Sequence, residues 1–171
     1  MRNCTGTVAI WTSGPGRIHP SSPNATAIQA AFDTHQEENM TSYMLPGNFL
    51  VQNRYRDLHL PWTGSLDQRV AGFDEARFLR LEWPTDQPFH APGPHDEEGV
   101  SLDIFEKLVA TGSAETRWRQ ANPDLVGTEK DVLRILRRKI ENLLQEAGVE
   151  PGRETLRGVV DGVILFVKKE V

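Results

Sequence analysis

A single cysteine, Cys4, among 171 residues excludes an intrachain disulfide and any metal site built on cysteine pairs. No apolar run approaches the roughly 20 residues that a membrane-spanning helix needs. The opening residues MRNCTGTVAI also lack the apolar stretch of a secretory leader, so a cytoplasmic protein with no membrane partner is the expectation. Basic charge is in short supply: 19 Lys and Arg stand against 24 Asp and Glu, a net charge of -5. Phosphate backbones are bound through concentrated Lys/Arg footprints, and no nucleic-acid partner is expected. The one basic run, Arg134, Arg137, Arg138 and Lys139, alternates with Leu133, Ile135, Leu136 and Ile140. That spacing belongs to an amphipathic helix with a solvated basic face. No internal repeat is present.

What the chain does have is ordinary globular composition, 38% hydrophobic and 25% charged, enough for a real core in one domain. The run TVAIW, whose ends are Thr7 and Trp11, is short, β-branched and aromatic, and suits a strand buried on both faces. The Gly/Pro-dense SGPGRIHPSSP that follows is a loop. Asn24 is placed to cap a helix over residues 25–38, with Ile28, Ala31, Phe32 and His35 at helical spacing. Residues 43–62 read as irregular, with unusually large apolar side chains. Residues 73–83 read as a helix entry, with Asp74 as its cap, running into the short strand FLRLEW, and 84–100 reads as a mobile proline-rich loop. Ser101 caps a helix over 102–110, and a second short helix begins at Ser113. TEKD at 128–131 resembles a capping box opening a helix that Gly148 closes, and 155–168 reads as one long terminal strand.

Several segments, in this order, resemble consecutive stretches of fungal small-molecule methyltransferases: GTVAIWTSGPGRIHPSSPNATAIQAAFD, YMLPGNFLVQNRYRDLHLPW, FDEARFLRLEW, TRWRQANPDLVGTEKDV and GVVDGVILFVKK. They are similar to the trans-aconitate group of the class I, S-adenosylmethionine-dependent enzymes. The resemblance implies an α/β fold, the truncated end of a class I methyltransferase sheet, within a single domain over 1–171. TVAIW would be the fifth of seven strands and FLRLEW the sixth. GVILFVKK would be the seventh, running antiparallel between those two. Lid-like insertions would lie at about 40–72 and 84–150. The family holds its cofactor on a glycine-rich turn and an acidic residue that precede these segments, whereas only Met1 to Thr5 precede GTVAIW here. Gly14-Pro15-Gly16 follows the wrong strand, and Pro15 has no N–H to offer. No bound cofactor is therefore expected, and S-adenosylmethionine is expected to bind poorly.

Within this frame His19, in the loop after TVAIW, is the candidate catalytic residue, as acid/base or hydrogen-bond donor to substrate. The alternative is a loop histidine that fixes local turns. Tyr43, Phe49, Tyr55, Trp62 and Trp83 are candidates for an aromatic acceptor pocket, or for plain core beneath the lid. Arg54 or Arg56 could clamp a substrate carboxylate, while an ion pair with Asp57 is the simpler expectation. His90 and His95, with Asp96 and Glu97, lie in a proline-broken stretch whose spacing argues against a metal site. Three functions are open: a non-methylating cyclase or isomerase acting on a small polyketide-like molecule, a non-catalytic ligand-binding or partner module, and a methyltransferase fragment. A homodimer through the edge of the Thr7 to Trp11 strand is expected, because a bare strand edge invites another chain.

Overall fold

The computed structural model describes residues 6–64, 69–83 and 99–169. The elements are β1 (Gly6–Ser13), β2 (Arg17–Ile18), α1 (Ala25–His35), α2 (Pro46–Gln52), β3 (Leu79–Trp83), β4 (Val100–Ser101), α3 (Leu102–Ala110), α4 (Ser113–Ala121), α5 (Val132–Glu146), β5 (Thr155–Leu156), β6 (Gly158–Val159) and β7 (Gly162–Lys169). The chain is α/β and divides into two compact units. The first comprises Met1–Gly16, Gly47–His90 and Val160–Val171, and the second Arg17–Pro46 and Ala91–Val159.

The first unit is built on a three-stranded sheet of order β1-β7-β3. β7 is antiparallel to both neighbours, so β1 and β3 run parallel to each other. This is the order and set of directions that the resemblance implies for the last three strands. The register aligns Ser13, Gly162 and Trp83 in one row and Trp11, Ile164 and Leu81 in the next but one. Successive side chains alternate between faces. Val163, Leu165 and Val167 therefore form one face, and all three are buried. β1 is not the doubly buried strand expected from TVAIW: Val8 is 50% exposed and Trp11 61%. Among the described residues β1 pairs with β7 alone. An apolar run encodes a propensity to be covered, and the cover depends on what packs against each face.

The second unit is mainly helical. α5 places Val132, Leu133, Leu136, Ile140 and Leu144 on one buried stripe. Leu136, Ile140 and Leu144 meet Ile28 of α1, Leu102 of α3 and Leu156 of β5. Val132 and Leu133 join Met40, Ala114 and Trp118 in a second cluster. Each fully buried Leu or Ile of this kind contributes about 1.5–3 kcal/mol. The basic side of α5 is solvated as expected, and it also carries ion pairs: Arg134 and Arg137 reach Glu106 of α3, at 3.1 and 3.0 Å.

Several boundaries differ from the sequence reading. Asn24 sits in the left-handed region at φ 54°, so its side chain does not cap α1; it donates instead to the Leu143 carbonyl at 3.1 Å. α1 stops at His35 and widens into a π-helical turn, Gln36–Met40. Residues 46–52, expected to be irregular, form α2, with Pro46 at the first helical position where a missing N–H costs nothing. α5 begins at Val132 rather than at 128, because Asp131 is the cap: its carboxylate accepts from Leu133 N at 3.1 Å and from Gly127 N at 2.8 Å. The expected long terminal strand is three pieces, interrupted at Arg157 and again at 160–161.

Candidate functional site

Ligands of open α/β sheets gather at the carboxyl ends of the strands. In the first unit that end is the row Ser13, Gly162 and Trp83, preceded on β7 by Asp161. The turn leaving α2 brings Arg54 to it. Arg54 and Tyr55 are both left-handed, at φ 57° and 58°, although neither is glycine. Such conformations cost roughly 1–3 kcal/mol each and persist where the surroundings fix them. Here the fixing contacts are identifiable. Tyr55 N donates to the Leu50 carbonyl at 2.8 Å, and Arg54 Nη1 donates to Asp161 Oδ2 at 2.7 Å. Arg80 holds the Arg54 carbonyl at 2.7 Å.

Glu82 is the hub of the cluster. It accepts from Arg80 Nε at 2.7 Å and lies 3.7 Å from Arg54 and 3.5 Å from Arg56. The hydrogen bond from Arg80 is the main reason its carboxyl is held below the usual carboxylate range; the charges of Arg80, Arg54 and Arg56 add to it. Arg54 thus pairs with Asp161 and Glu82 and not with Asp57, whose carboxylate accepts from Asn53 instead. Nothing in the NRYRD string marks Asp161 or Glu82 as its partners, which are brought in by the sheet.

Gly14 is a necessity of this arrangement. A Cβ there would stand 1.9 Å from Asp161 Oδ1. The same geometry bears on S-adenosylmethionine. Gly14 N donates to the Asp161 carbonyl at 2.8 Å and Pro15 has no N–H, so within Gly14-Pro15-Gly16 only the last amide remains for a ligand. The turn does not fit a cofactor cradle.

The aromatic candidates are distributed between the units. In the first, Phe49 is exposed on α2. The Trp62 ring meets Phe78 edge-on at 5.2 Å, and the Trp83 ring occupies the space that the missing side chain of Gly162 leaves. A depression of about 440 Å³ lies beside Trp62 in sequence, lined by His59, Leu60, Pro61, Thr63 and Val70. In the second unit Tyr43 packs against the Met40 cluster, with its hydroxyl accepting from Asn122 at 3.3 Å. His19 directs Nδ1 at its own turn: the ring nitrogen accepts from Ser21 N at 3.0 Å and lies 2.7 Å from Ser21 Oγ. With a lone pair on Nδ1, Nε2 carries the proton. His90, His95, Asp96 and Glu97, and Cys4, lie outside the described residues.

The second unit also holds a buried polar pair that the sequence reading passed over, taking His35 only as part of a helical stripe. His35 and Glu115 are both buried, and Glu115 accepts from Gln36 at 2.9 Å. Burial pushes the His35 imidazole below its ordinary value, against a smaller opposite pull from the Glu115 charge.

No family model matches the chain, and no curated protein matches it. Among solved structures it is similar to one described as that of "a Putative Type II Methyltransferase from Anaeromyxobacter dehalogenans". The two are 20% identical with a TM-score of 0.45, over 96% of this chain and 52% of the other. The chain spans about half the length of that structure.

Proposed function

We propose that the chain forms the acceptor-substrate half of a class I methyltransferase-like protein. We propose further that its chemistry is cyclisation or isomerisation of a small, apolar, polyketide-like molecule of natural-product biosynthesis, not methyl transfer. The observation that carries this reading is the sheet, with β7 antiparallel between two mutually parallel strands. In support, the carboxyl end of the sheet gathers Arg54, Tyr55 and Trp83 beside a strained turn, and strain of that kind concentrates at functional sites. Ring closure needs a shaped apolar surface and a few fixed polar groups rather than a cofactor. Phe49, Tyr55, Trp62 and Trp83 would shape the surface, and Arg54 would hold the polar end of the substrate. The test is turnover of candidate polyketides by the purified chain, with and without S-adenosylmethionine. Product formation independent of the cofactor supports the reading, and a methylated product overturns it.

A second reading is favoured by the exposure of β1: the chain pairs with a methyltransferase-type partner and methyl transfer occurs only in that complex. Methyl transfer that appears on adding the partner, and is absent from either chain alone, would distinguish it. The same edge suits a second copy of this chain, and a homodimer is the simplest form in which β1 would be covered.

A further inference from the structure

α4 sorts its side chains by face. Ala114, Glu115 and Trp118 are buried, while Thr116, Arg119 and Gln120 stand at the i, i+3 and i+4 spacing of neighbours on a helix surface. These three line a cavity of about 450 Å³ together with Ala110, the last residue of α3, and with Pro123 and Val126 of the segment after α4. Sites for small molecules have volumes of roughly 300–1,000 Å³. The walls are fixed before any ligand arrives. Ala110 packs against the Met40 cluster. Leu125 N donates to the Asn122 carbonyl and Thr128 N to the Leu125 carbonyl, both at 3.0 Å, so Pro123 and Val126 sit in two consecutive closed turns.

The side chain of Arg119 is 34% exposed, and its ion-pair partner Asp131 lies 3.6 Å from Nη2, beyond hydrogen-bond range. Asp131 is already occupied. It accepts from Leu133 N at 3.1 Å and from Gly127 N at 2.8 Å, and as the cap of α5 it sets its charge against the positive end of that helix. The other half-buried arginines, Arg54, Arg80, Arg117, Arg137 and Arg157, each donate a hydrogen bond from the guanidinium. Arg119 donates none among the described residues. The Thr116 hydroxyl donates to the Gly112 carbonyl at 2.9 Å, so toward the cavity its oxygen can only accept. The donors among the lining side chains are therefore those of Arg119 and Gln120, beside the apolar Ala110, Pro123 and Val126.

We infer that this cavity binds a small monocarboxylate with an apolar body. The carboxylate takes the planar donors of Arg119, with the Gln120 amide beside them, and the body lies against Ala110, Pro123 and Val126. All the lining residues belong to the second unit. The inference concerns binding there, so it stands or falls apart from the cyclisation proposed above.

The test uses the intact chain labelled with ¹⁵N, titrated separately with sodium benzoate, sodium acetate and benzamide while the Arg119 Nε–H and the Gln120 and Val126 amide signals are followed by NMR. Benzoate should move all three signals saturably. Acetate lacks the apolar body and benzamide lacks the charge, and each should bind about tenfold more weakly or worse. Arg119→Gln removes the charge and should weaken benzoate binding on the order of ten- to hundredfold. Gln120→Glu sets a second carboxylate at the cavity and should weaken it as well; Gln120 is exposed, so this variant should melt with the wild type. If Arg119→Gln does not fold, Gln120→Glu decides in its place. Absence of saturable movement with benzoate overturns the inference. Benzamide binding as tightly as benzoate overturns it too, as does undiminished benzoate binding by the folded variants.

Discussion

Arg54 Nη1 stands 2.7 Å from Asp161 Oδ2, tying a left-handed residue after α2 to the residue that leads into β7. The Asp161 side chain is only 12% exposed, so the pair is not an ordinary surface ion pair. Removing the guanidinium leaves a largely buried carboxylate without this ion-pair partner. Arg54→Ala should lower the unfolding free energy by about 1–2 kcal/mol, between the values typical of exposed and buried pairs. Asp161→Asn in the same chain should recover part of the loss. A double-mutant cycle by urea denaturation reads the coupling, and strict additivity would show that the two residues do not interact energetically.

Gly14 and Gly16 make a sharper comparison, since the same substitution two residues apart should have unlike effects. A Cβ at Gly14 meets Asp161 Oδ1 at 1.9 Å, and a Cβ at Gly16 meets nothing within 4 Å. Gly14→Ala must push the Asp161 carboxylate away from Arg54 and should cost about 1–3 kcal/mol. Gly16→Ala should be neutral or slightly stabilising, because it restricts the unfolded chain. Thermal denaturation of the two variants side by side checks the pair of outcomes.

The elements that sequence reading located are those with local chemistry. Ser101 caps α3, accepting from Ile104 N at 3.4 Å, and Gly148 closes α5 at φ 89°. Asp74 caps as expected, accepting from Ala76 N at 2.9 Å, but what it opens is a single 3-10 turn, Glu75–Arg77. What was not legible is what the tertiary structure decides. Thr128 and Asp131 are both chemically able to cap α5, and the choice of Asp131 depends on its being buried beside Gly127. Arg54 had a plausible partner three residues away, and the sheet supplied two distant ones.

His35 gives the fold a pH dependence with a definite sign. Burial lowers its pKa from 6.5, so the unfolded chain binds a proton more readily than the folded one. Stability from this group is then fully present above pH 6.5 and is lost as pH falls from there through the folded-state pKa. Glu82 and Glu154 also have lowered values, from an ordinary 4.5, and their contribution is present above that pH and lost below it. The slope between about pH 6.5 and 5 therefore belongs mainly to His35. Melting the wild type and His35→Gln across pH 5 to 8 tests this. A wild-type midpoint that does not fall faster than the variant's on acidification would contradict it.

The dimer proposed through β1 rests on the character of that edge. TVAIWT carries no charge and no proline, the two devices by which proteins commonly protect a free edge from pairing. Its exposed residues include Val8 and Trp11, which point to opposite faces, so a strand added beside β1 would gain apolar contact on both. A two-fold axis through the sheet would set two copies of β1 antiparallel and join two three-stranded sheets into one of six, an isologous contact that closes on itself. Antiparallel pairing also needs no crossover connection. Light scattering on the purified chain at micromolar concentration should give twice the monomer mass. Val8→Lys places a charge at the seam and should shift the population to monomer. Trp11→Lys does the same from the other face, and guards against a result caused by damage around Val167, which lies opposite Val8 in the register. A wild-type monomer, or a dimer untouched by both substitutions, would show that β1 is not the contact.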